Sequence, residues 1–458
     1  MRLLTLLLTI LALACLDGGL GAAVADPIRT GASTLVFSER HPASAYAAME
    51  QRWKWPTTTD YWKQGGYDIA GESFAAYVPA DYDGTRPYGL VVGFSNRDEG
   101  AVPSEWTPVL DRHALIWVGA NQAGFSRNAQ ARLALALDAV HGMTTRCAID
   151  PRRVSVCGGP GNAGRQANWE LITYPDVFTG SIAIEVCDYY VSFPATPLAG
   201  MYSGFLTTPD SAPLALARTR RQVLLCGTQS ANHLAKMRGA FAAYQADAFH
   251  RTSMFEVPDL ASGQTPSAAW FERALRFLDR PLRWTSPQGG TLLDTLERAG
   301  FKNVKGRFGP GKAIKPALSD LQAKVERGGA PADDAARTLA AVDGWIRAQV
   351  LRCTELSKRR PAQAIEELDA FIATVRGLPS EAEAAELVKT LRADADVVQL
   401  GKLRAKVRSL LGNLDQQGRI DPLLKAQAAL RAKLGELKAA VAADAAVAAE
   451  IEEILLDL

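Results

Sequence analysis

Short apolar runs alternate with longer amphipathic runs between about residues 73 and 278 of this chain. Several short runs are almost entirely apolar, as is typical of strands buried on both faces. The predicted strands are Phe74–Val78, Gly89–Phe94, Ala114–Gly119, Val154–Cys157, Ser181–Val186, Val223–Cys226 and Met254–Val257. The predicted helices between them include Arg127–Met143, Ala231–Phe249 and Ser267–Leu278. This alternation predicts an α/β fold with a mainly parallel sheet and helices on both faces.

The pattern changes in the last third of the chain. Beyond residue 312, apolar residues recur at helical spacing, as at Ile365, Leu368 and Ile372, and no strand pattern appears. Asp421 and Pro422 predict a helix N-terminus, with Asp421 as the N-cap, ahead of the run Leu423–Val441. We therefore predict an all-α bundle of five to seven antiparallel helices over residues 313–458.

A glycine-rich segment separates the two patterns. Residues 281–312 carry little apolar periodicity beyond one short predicted helix, Leu292–Ala299. We interpret this segment as a linker between an α/β domain over residues 26–280 and the helical domain over residues 313–458.

The first 25 residues have the order of a secretory signal peptide. Arg2 precedes an uncharged apolar run, Leu3–Leu16, and the small triplet Ala23–Ala25 follows it. The run is shorter than the roughly 20 residues that a membrane-spanning helix needs. We expect export to the periplasm or the cell exterior, with no transmembrane span after cleavage. An uncleaved anchor and a lipid-modified Cys15 are the alternatives.

Composition narrows the choice of partners. Lys plus Arg number 51 and Asp plus Glu 49, a net charge of +2, which disfavours nucleic acid as a partner. Six cysteines and five histidines occur without a C-x-x-C pair, so no metal site is predicted. We predict no cofactor.

Four stretches of the first half resemble a known family. They are FAAYVP at residues 74–79, PYGLVV at 87–92, IDPRRVSV at 149–156 and WFERAL at 270–275. Together they resemble α/β-hydrolases over about residues 70–280, and are similar to secreted esterases and polyhydroxybutyrate-depolymerase-like proteins. The resemblance implies an α/β-hydrolase-type sheet with a Ser-His-Asp triad at the ends of its strands.

The resemblance places the catalytic serine on a sharp turn after the strand Val154–Cys157. At that turn the sequence is Gly158, Gly159, Pro160, Gly161 and Asn162. Pro160 or Gly161 therefore stands at the serine position, and neither side chain has a nucleophilic atom. The family acid follows Val223–Cys226, where Ser230 or Asn232 stands instead. The family histidine follows Met254–Val257, where Ser262 stands. We predict that the triad has been lost.

Two other uses of this turn are compatible with the sequence. Cys157 ends the strand before it and is the fallback nucleophile, with His233 or His141 as its base; the alternative is an inert buried thiol. Backbone N–H groups of Gly158, Gly159, Gly161 and Asn162 could bind an anion or a carbonyl oxygen ahead of the following helix. The alternative is a tight turn that needs glycine only for its backbone geometry.

Aromatic residues cluster before the first predicted strand. Trp53, Trp55 and Trp62 could form a stacking platform for a glycan or polymer, or could pack over the edge of the sheet.

Three hypotheses about function follow. The favoured one is an exported, catalytically impaired α/β-hydrolase-like protein whose helical domain binds a protein partner. The second is an active secreted esterase or depolymerase with a rearranged site for a small ester. The third is a cell-envelope carbohydrate-binding protein.

Overall fold

The computed structural model describes residues 29–53, 66–190, 209–284, 292–298, 300–301, 304, 308 and 312–458. The predicted signal peptide lies outside these residues. Within them, the strands are β1 Gly31–Leu35, β2 Phe74–Val78, β3 Tyr88–Phe94, β4 Leu115–Ala120, β5 Ile149–Gly158, β6 Gly180–Ile184, β7 Arg221–Gly227 and β8 Thr252–Val257. They form one sheet in the order β1-β2-β4-β3-β5-β6-β7-β8. Pairing is antiparallel from β1 through β2 to β4 and parallel across the rest.

Helices cover both faces of this sheet, as the alternating pattern predicts. They are α1 Tyr46–Trp53, α2 Thr107–His113, α3 Ala129–Arg146, α4 Asn162–Thr173, α5 Ser211–Thr219, α6 Ala231–Ala246 and α7 Ala268–Leu278. Every residue of β3 and β7 is buried, because helices cover these central strands on both sides. One apolar cluster contains α3 and α4, and a second contains α2 and α7. The predicted α/β class is confirmed.

The last third of the chain is helical. After the short helices α8 Arg280–Trp284 and α9 Leu292–Arg298 come α10 Lys315–Arg327, α11 Ala330–Ser357, α12 Pro361–Thr374, α13 Pro379–Arg392, α14 Ala395–Gln417, α15 Asp421–Ala440 and α16 Ala445–Asp457. The predicted helices after residue 312 are therefore confirmed. One boundary was wrong by a residue: the N-cap of α15 is Ile420, so Asp421 is the first helical residue. No helix of the described ranges combines the length and apolarity that a membrane crossing requires.

Parts of the predicted linker belong to the helical core. Trp284 is buried in the apolar cluster of α14, α15 and α16. Leu292 and Leu296 of α9 are buried in a second cluster with α11 and α12. The domain boundary itself stays a prediction.

Buried ion pairs join the helical part to the sheet. Asp457 at the end of α16 accepts from Arg276 Nε of α7 at 2.9 Å and from Trp284 Nε1 at 3.0 Å. Asp415 of α14 pairs with Arg221, the first residue of β7. The helices therefore dock beside the amino ends of β7 and β8, whereas the triad is predicted at the carboxyl ends of the strands.

Candidate functional site

The turn between β5 and α4 has the geometry of a nucleophile elbow without a nucleophile. Gly161 adopts φ +81° and ψ −138°, a backbone conformation that side-chain-bearing residues rarely adopt. Gly161, and not Pro160, therefore occupies the strained position where the serine was expected. A Cβ atom at Gly161 would lie 2.8 Å from Asn96 Nδ2.

Asn96 closes this turn from the end of β3. Its amide Nδ2 donates to the carbonyl oxygen of Pro160, and its Oδ1 accepts from Ala163 N–H at 3.0 Å. The N–H of Gly159 donates to Phe94 O, and the N–H of Gly164 donates to Gly161 O, both at 3.0 Å. Of the N–H groups predicted to bind an anion, those of Gly158, Gly159, Gly161 and Asn162, the one of Gly159 is thus engaged within the protein. The anion site itself stays a prediction.

The glycines beside the turn serve close packing. A Cβ atom at Gly158 would lie 1.9 Å from Ala163 O, and one at Gly164 would lie 2.4 Å from Ile184 O. Strand β5, helix α4 and strand β6 therefore approach each other at distances that only glycine permits. This supports the geometric interpretation of the turn over the anion-binding one.

A carboxylate lies where the triad positions converge. Glu185 follows β6, and its Oε1 accepts from Ser230 Oγ at 3.1 Å and from Gly263 N–H at 3.1 Å. The same oxygen accepts a short hydrogen bond from Ser262 Oγ. His233 Nδ1 lies 3.0 Å from it. The structure thus brings together Ser230 and Ser262, the residues at the acid and histidine positions, but around a glutamate that sequence reasoning missed.

The backbone at Glu185 is strained. Its φ is +70°, and the N–H of Val186 donates to Ile184 O at 2.9 Å across it. This is a γ-turn of the rare, positive-φ kind. Such conformations cost about 1–3 kcal/mol and concentrate at functional sites.

The carboxylate of Glu185 is stabilised in its ionised form. Burial alone would raise its pKa, but hydrogen bonds from Ser262, the N–H of Gly263 and His233 outweigh burial and lower the pKa below its ordinary value. A carboxylate that accepts from this many donors is a poor proton acceptor at neutral pH. Asn232 is exposed on α6 and is not among these donors.

The sequence does contain a feature that distinguishes Glu185. Glu185 is the one charged residue in Ser181–Val186, which we predicted as a strand. A charge buried at a strand end requires partners, so this residue type in that pattern indicates a polar site.

Cys157 is not placed for catalysis. Its side chain is 1% exposed within the cluster of α2 and α7, and burial raises the pKa of its thiol far above the ordinary value. Neither proposed base is its partner, because His141 lies 3.6 Å from Glu39 and His233 binds Glu185. Burial and the raised pKa of this thiol disfavour its role as the fallback nucleophile, which stays a prediction. All five cysteines of the described ranges are buried, unpaired thiols.

One of the three tryptophans predicted to form the stacking platform is buried. Trp53 is 2% exposed on α1, donates to Tyr174 Oη at 3.2 Å and packs edge-on against Trp169. Trp53 belongs to the apolar core, which disfavours its predicted role in binding a ligand. Trp55 and Trp62 lie outside the described residues. In the part of the chain that the structure describes, no three His, Cys, Asp or Glu side chains form a metal-binding group.

Comparison with known proteins gives structural neighbours only. No family model matches the chain, and no curated protein matches it. A thermostable esterase aligns with TM-score 0.33 and 14% identity over 46% of this chain and 59% of its own length. A poly(3-hydroxybutyrate) depolymerase from Bordetella parapertussis aligns with TM-score 0.33 and 18% identity, covering 44% of this chain and 88% of that one. Poly(aspartic acid) hydrolase-1 from Sphingomonas sp. KT-1 aligns with TM-score 0.38 and 13% identity, covering 55% of this chain and 99% of that one.

These neighbours are of α/β-hydrolase type, and the alignment spans little more than half the length of the esterase. The predicted mainly parallel sheet followed by helices is confirmed by the structure of this chain.

Proposed function

We propose that this chain is a catalytically impaired protein of α/β-hydrolase type. The observation that carries the proposal is the position of Glu185, whose carboxylate fills the site where the triad would converge. Gly161, which stands at the elbow position of the nucleophile, has no side chain and so cannot supply one.

Acyl transfer on this scaffold needs a nucleophile, a base that takes its proton, and an acid that orients the base. Ser230 and Ser262 both donate to Glu185, an ionised carboxylate that holds their hydroxyl protons without removing them. Each group of the cluster satisfies another, which makes it a stable polar network.

Two parts of the proposal rest on the sequence. The order of Arg2, the apolar run Leu3–Leu16 and the triplet Ala23–Ala25 supports export. Helices α10–α16 are assigned to binding a protein partner, and Leu351 of α11, 65% exposed, is an apolar contact available for it.

Labelling by a fluorophosphonate probe tests the proposal. Such probes react with activated serines, so we expect no covalent adduct on the purified full chain under conditions that saturate a competent serine esterase. Gly161→Ser should also stay unlabelled, because Ser262 stands where the base is required. An adduct mapped by mass spectrometry to Ser230 or Ser262 would contradict the proposal.

A second function is favoured by one contact. His233 Nδ1 lies 3.0 Å from Glu185 Oε1, and the histidine side chain is 32% exposed. A carboxylate that holds Nδ1–H leaves Nε2 as a base able to activate water. The chain would then be an ester hydrolase that uses a histidine–glutamate pair. In that case His233→Gln would abolish turnover, whereas under the first proposal there is no turnover to lose.

A further inference from the structure

A cavity of about 240 Å³ lies between the sheet and the helical part. Its walls come from β8, α7, α15, the connection before α15 and the end of α16. Ser253, the second residue of β8, lines it, whereas Ser262 follows the carboxyl end of that strand. The cavity is therefore separate from the Glu185 site and lies toward the opposite edge of the sheet.

Three arginines at this cavity have no acidic partner. Arg273 lies over the rings of Phe255 and Trp270, at 4.9 and 5.2 Å. Arg419 donates to Ser253 Oγ at 2.7 Å. Within the described ranges, no ion pair joins Arg273, Arg419 or Arg431 to a carboxylate, although other buried arginines nearby are paired.

The one acidic side chain in the cavity wall is already engaged. Asp457 accepts from Arg276 and Trp284 through its two carboxylate oxygens, and its main-chain oxygen accepts from Arg280 Nη2 at 2.9 Å. Arg280 also lines the cavity and is 7% exposed, and its Nε has no partner. The side chains at the cavity therefore carry more positive than negative charge. The main-chain oxygen of Leu458, which also lines the cavity, accepts from Gln427 Nε2.

The arginines lie near enough to repel each other. Burial, followed by the charges of Arg273 and Arg431, lowers the pKa of Arg419, and burial followed by Arg431 lowers the pKa of Arg273. Guanidinium groups nevertheless stay protonated in proteins. A cluster of this kind is unfavourable without an anion and becomes favourable when one binds.

The remaining walls are apolar. Met254 and Phe277 line the cavity, and Leu424 and Leu456 at its walls are 37% and 40% exposed. Exposed leucines beside a concave, charged surface fit a ligand with an apolar body. Since a water molecule takes about 30 Å³ of liquid volume, the cavity has room for about eight water molecules, or for a small ligand of a similar number of non-hydrogen atoms.

We propose that this cavity binds a small organic anion, whose phosphate or carboxylate group is held by Arg273, Arg419 and Arg431 and whose apolar body lies against the leucines. This site is independent of the proposed function at Glu185.

Calorimetric titration of the full chain tests the proposal, with phenyl phosphate, benzoate, inorganic phosphate and the neutral phenol as probes. We expect one site per chain for at least one of the two organic anions, weaker binding of inorganic phosphate and none of phenol. Charge-assisted hydrogen bonds are worth enough that Arg431→Gln should weaken binding by about tenfold or more. Arg376→Gln, on the exposed turn before α13, is the matched control and should bind as the unmodified chain does.

Because Arg419 also contacts β8, Arg431→Gln is the decisive variant, and its melting temperature should match that of the control. The proposal is overturned if neither organic anion binds at millimolar concentration, or if Arg431→Gln and Arg273→Gln both bind with unchanged affinity. Equal affinity for inorganic and phenyl phosphate would overturn the apolar part of the assignment.

Discussion

The side chain of Glu185 is only 8% exposed, so the ionisation of its carboxylate is coupled to folding. Its pKa is lowered in the folded protein, mainly because hydrogen bonds from Ser262 and Gly263 outweigh burial. A lowered carboxyl pKa contributes stability that is present above the unfolded pKa and is lost as pH falls through the folded one.

Glu185→Gln should therefore destabilise the protein at pH 7 by about 1–3 kcal/mol, the cost of disrupting a buried charged hydrogen-bond network. The difference from the unmodified chain should begin to shrink as pH falls below the unfolded value of about 4.3, and should vanish once pH is below the lowered folded pKa, where the carboxyl is neutral in both states. Urea unfolding at pH 7 and at pH 3.5 measures both values. Glu256→Gln on β8 removes an exposed pair with Arg238 and should change stability by less than about 1 kcal/mol. A pH-independent loss for Glu185→Gln would show that its charge does not matter.

Some residues of the candidate site could be predicted from the sequence and others could not. Gly161, Ser230 and Ser262 could be placed because each follows a recognisable strand. Glu185 was missed because its neighbours Ile184 and Val186 made it look like part of a strand, and periodicity does not report a γ-turn. Arg273, Arg419 and Arg431 are too far apart in sequence for any local pattern to join them.

Among the elements, strands with continuous apolar runs were predicted well. Strand β2 has the predicted bounds, and β3 differs from the prediction by one residue. Strand β1 was missed because its sequence, GASTL, alternates between exposed and partly buried positions and carries little apolar area. It pairs with β2 alone at the edge of the sheet, so tertiary pairing and not local propensity determines it.

The junction of β5, α4 and β6 depends on close backbone approach. Gly158→Ala should destabilise the protein by about 1–3 kcal/mol or more, because the new methyl group meets a backbone oxygen that cannot move alone. Gly159→Ala is the matched control one residue away, since its nearest neighbour is Phe94 O at 3.5 Å, an ordinary contact. Thermal unfolding should give a lower melting temperature for Gly158→Ala than for Gly159→Ala. Equal melting temperatures would mean that the elbow can relax.

At the scale of the whole molecule, the two parts are joined by charges that lie far apart in sequence. Asp457 binds Arg276, and Asp415 binds Arg221. Burial lowers the pKa of Arg221 to about 10, although the charge of Asp415 opposes the shift. The sequence predicted both parts but not their docking, because an ion pair between distant residues has no periodicity.

Asp457→Asn should weaken this docking. It leaves Arg276, whose side chain is 4% exposed, without its counter-charge, and breaking a buried pair costs about 3–5 kcal/mol. Limited proteolysis should then release the helical part faster, with cleavage between residues 281 and 320. Asp334→Asn breaks only an exposed pair with Arg337 and should leave the cleavage rate unchanged. Identical rates for the two variants would mean that the Asp457 pair does not hold the parts together.

The measurement that tests loss of catalysis most directly is the steady-state rate with an activated acyl ester such as 4-nitrophenyl butyrate. Purified full-length chain and its His233→Gln variant are assayed side by side. The account predicts equal rates for both proteins, indistinguishable from uncatalysed hydrolysis and linear in substrate concentration. Saturable kinetics in the unmodified chain that disappear in His233→Gln would contradict it and establish a histidine-dependent hydrolase.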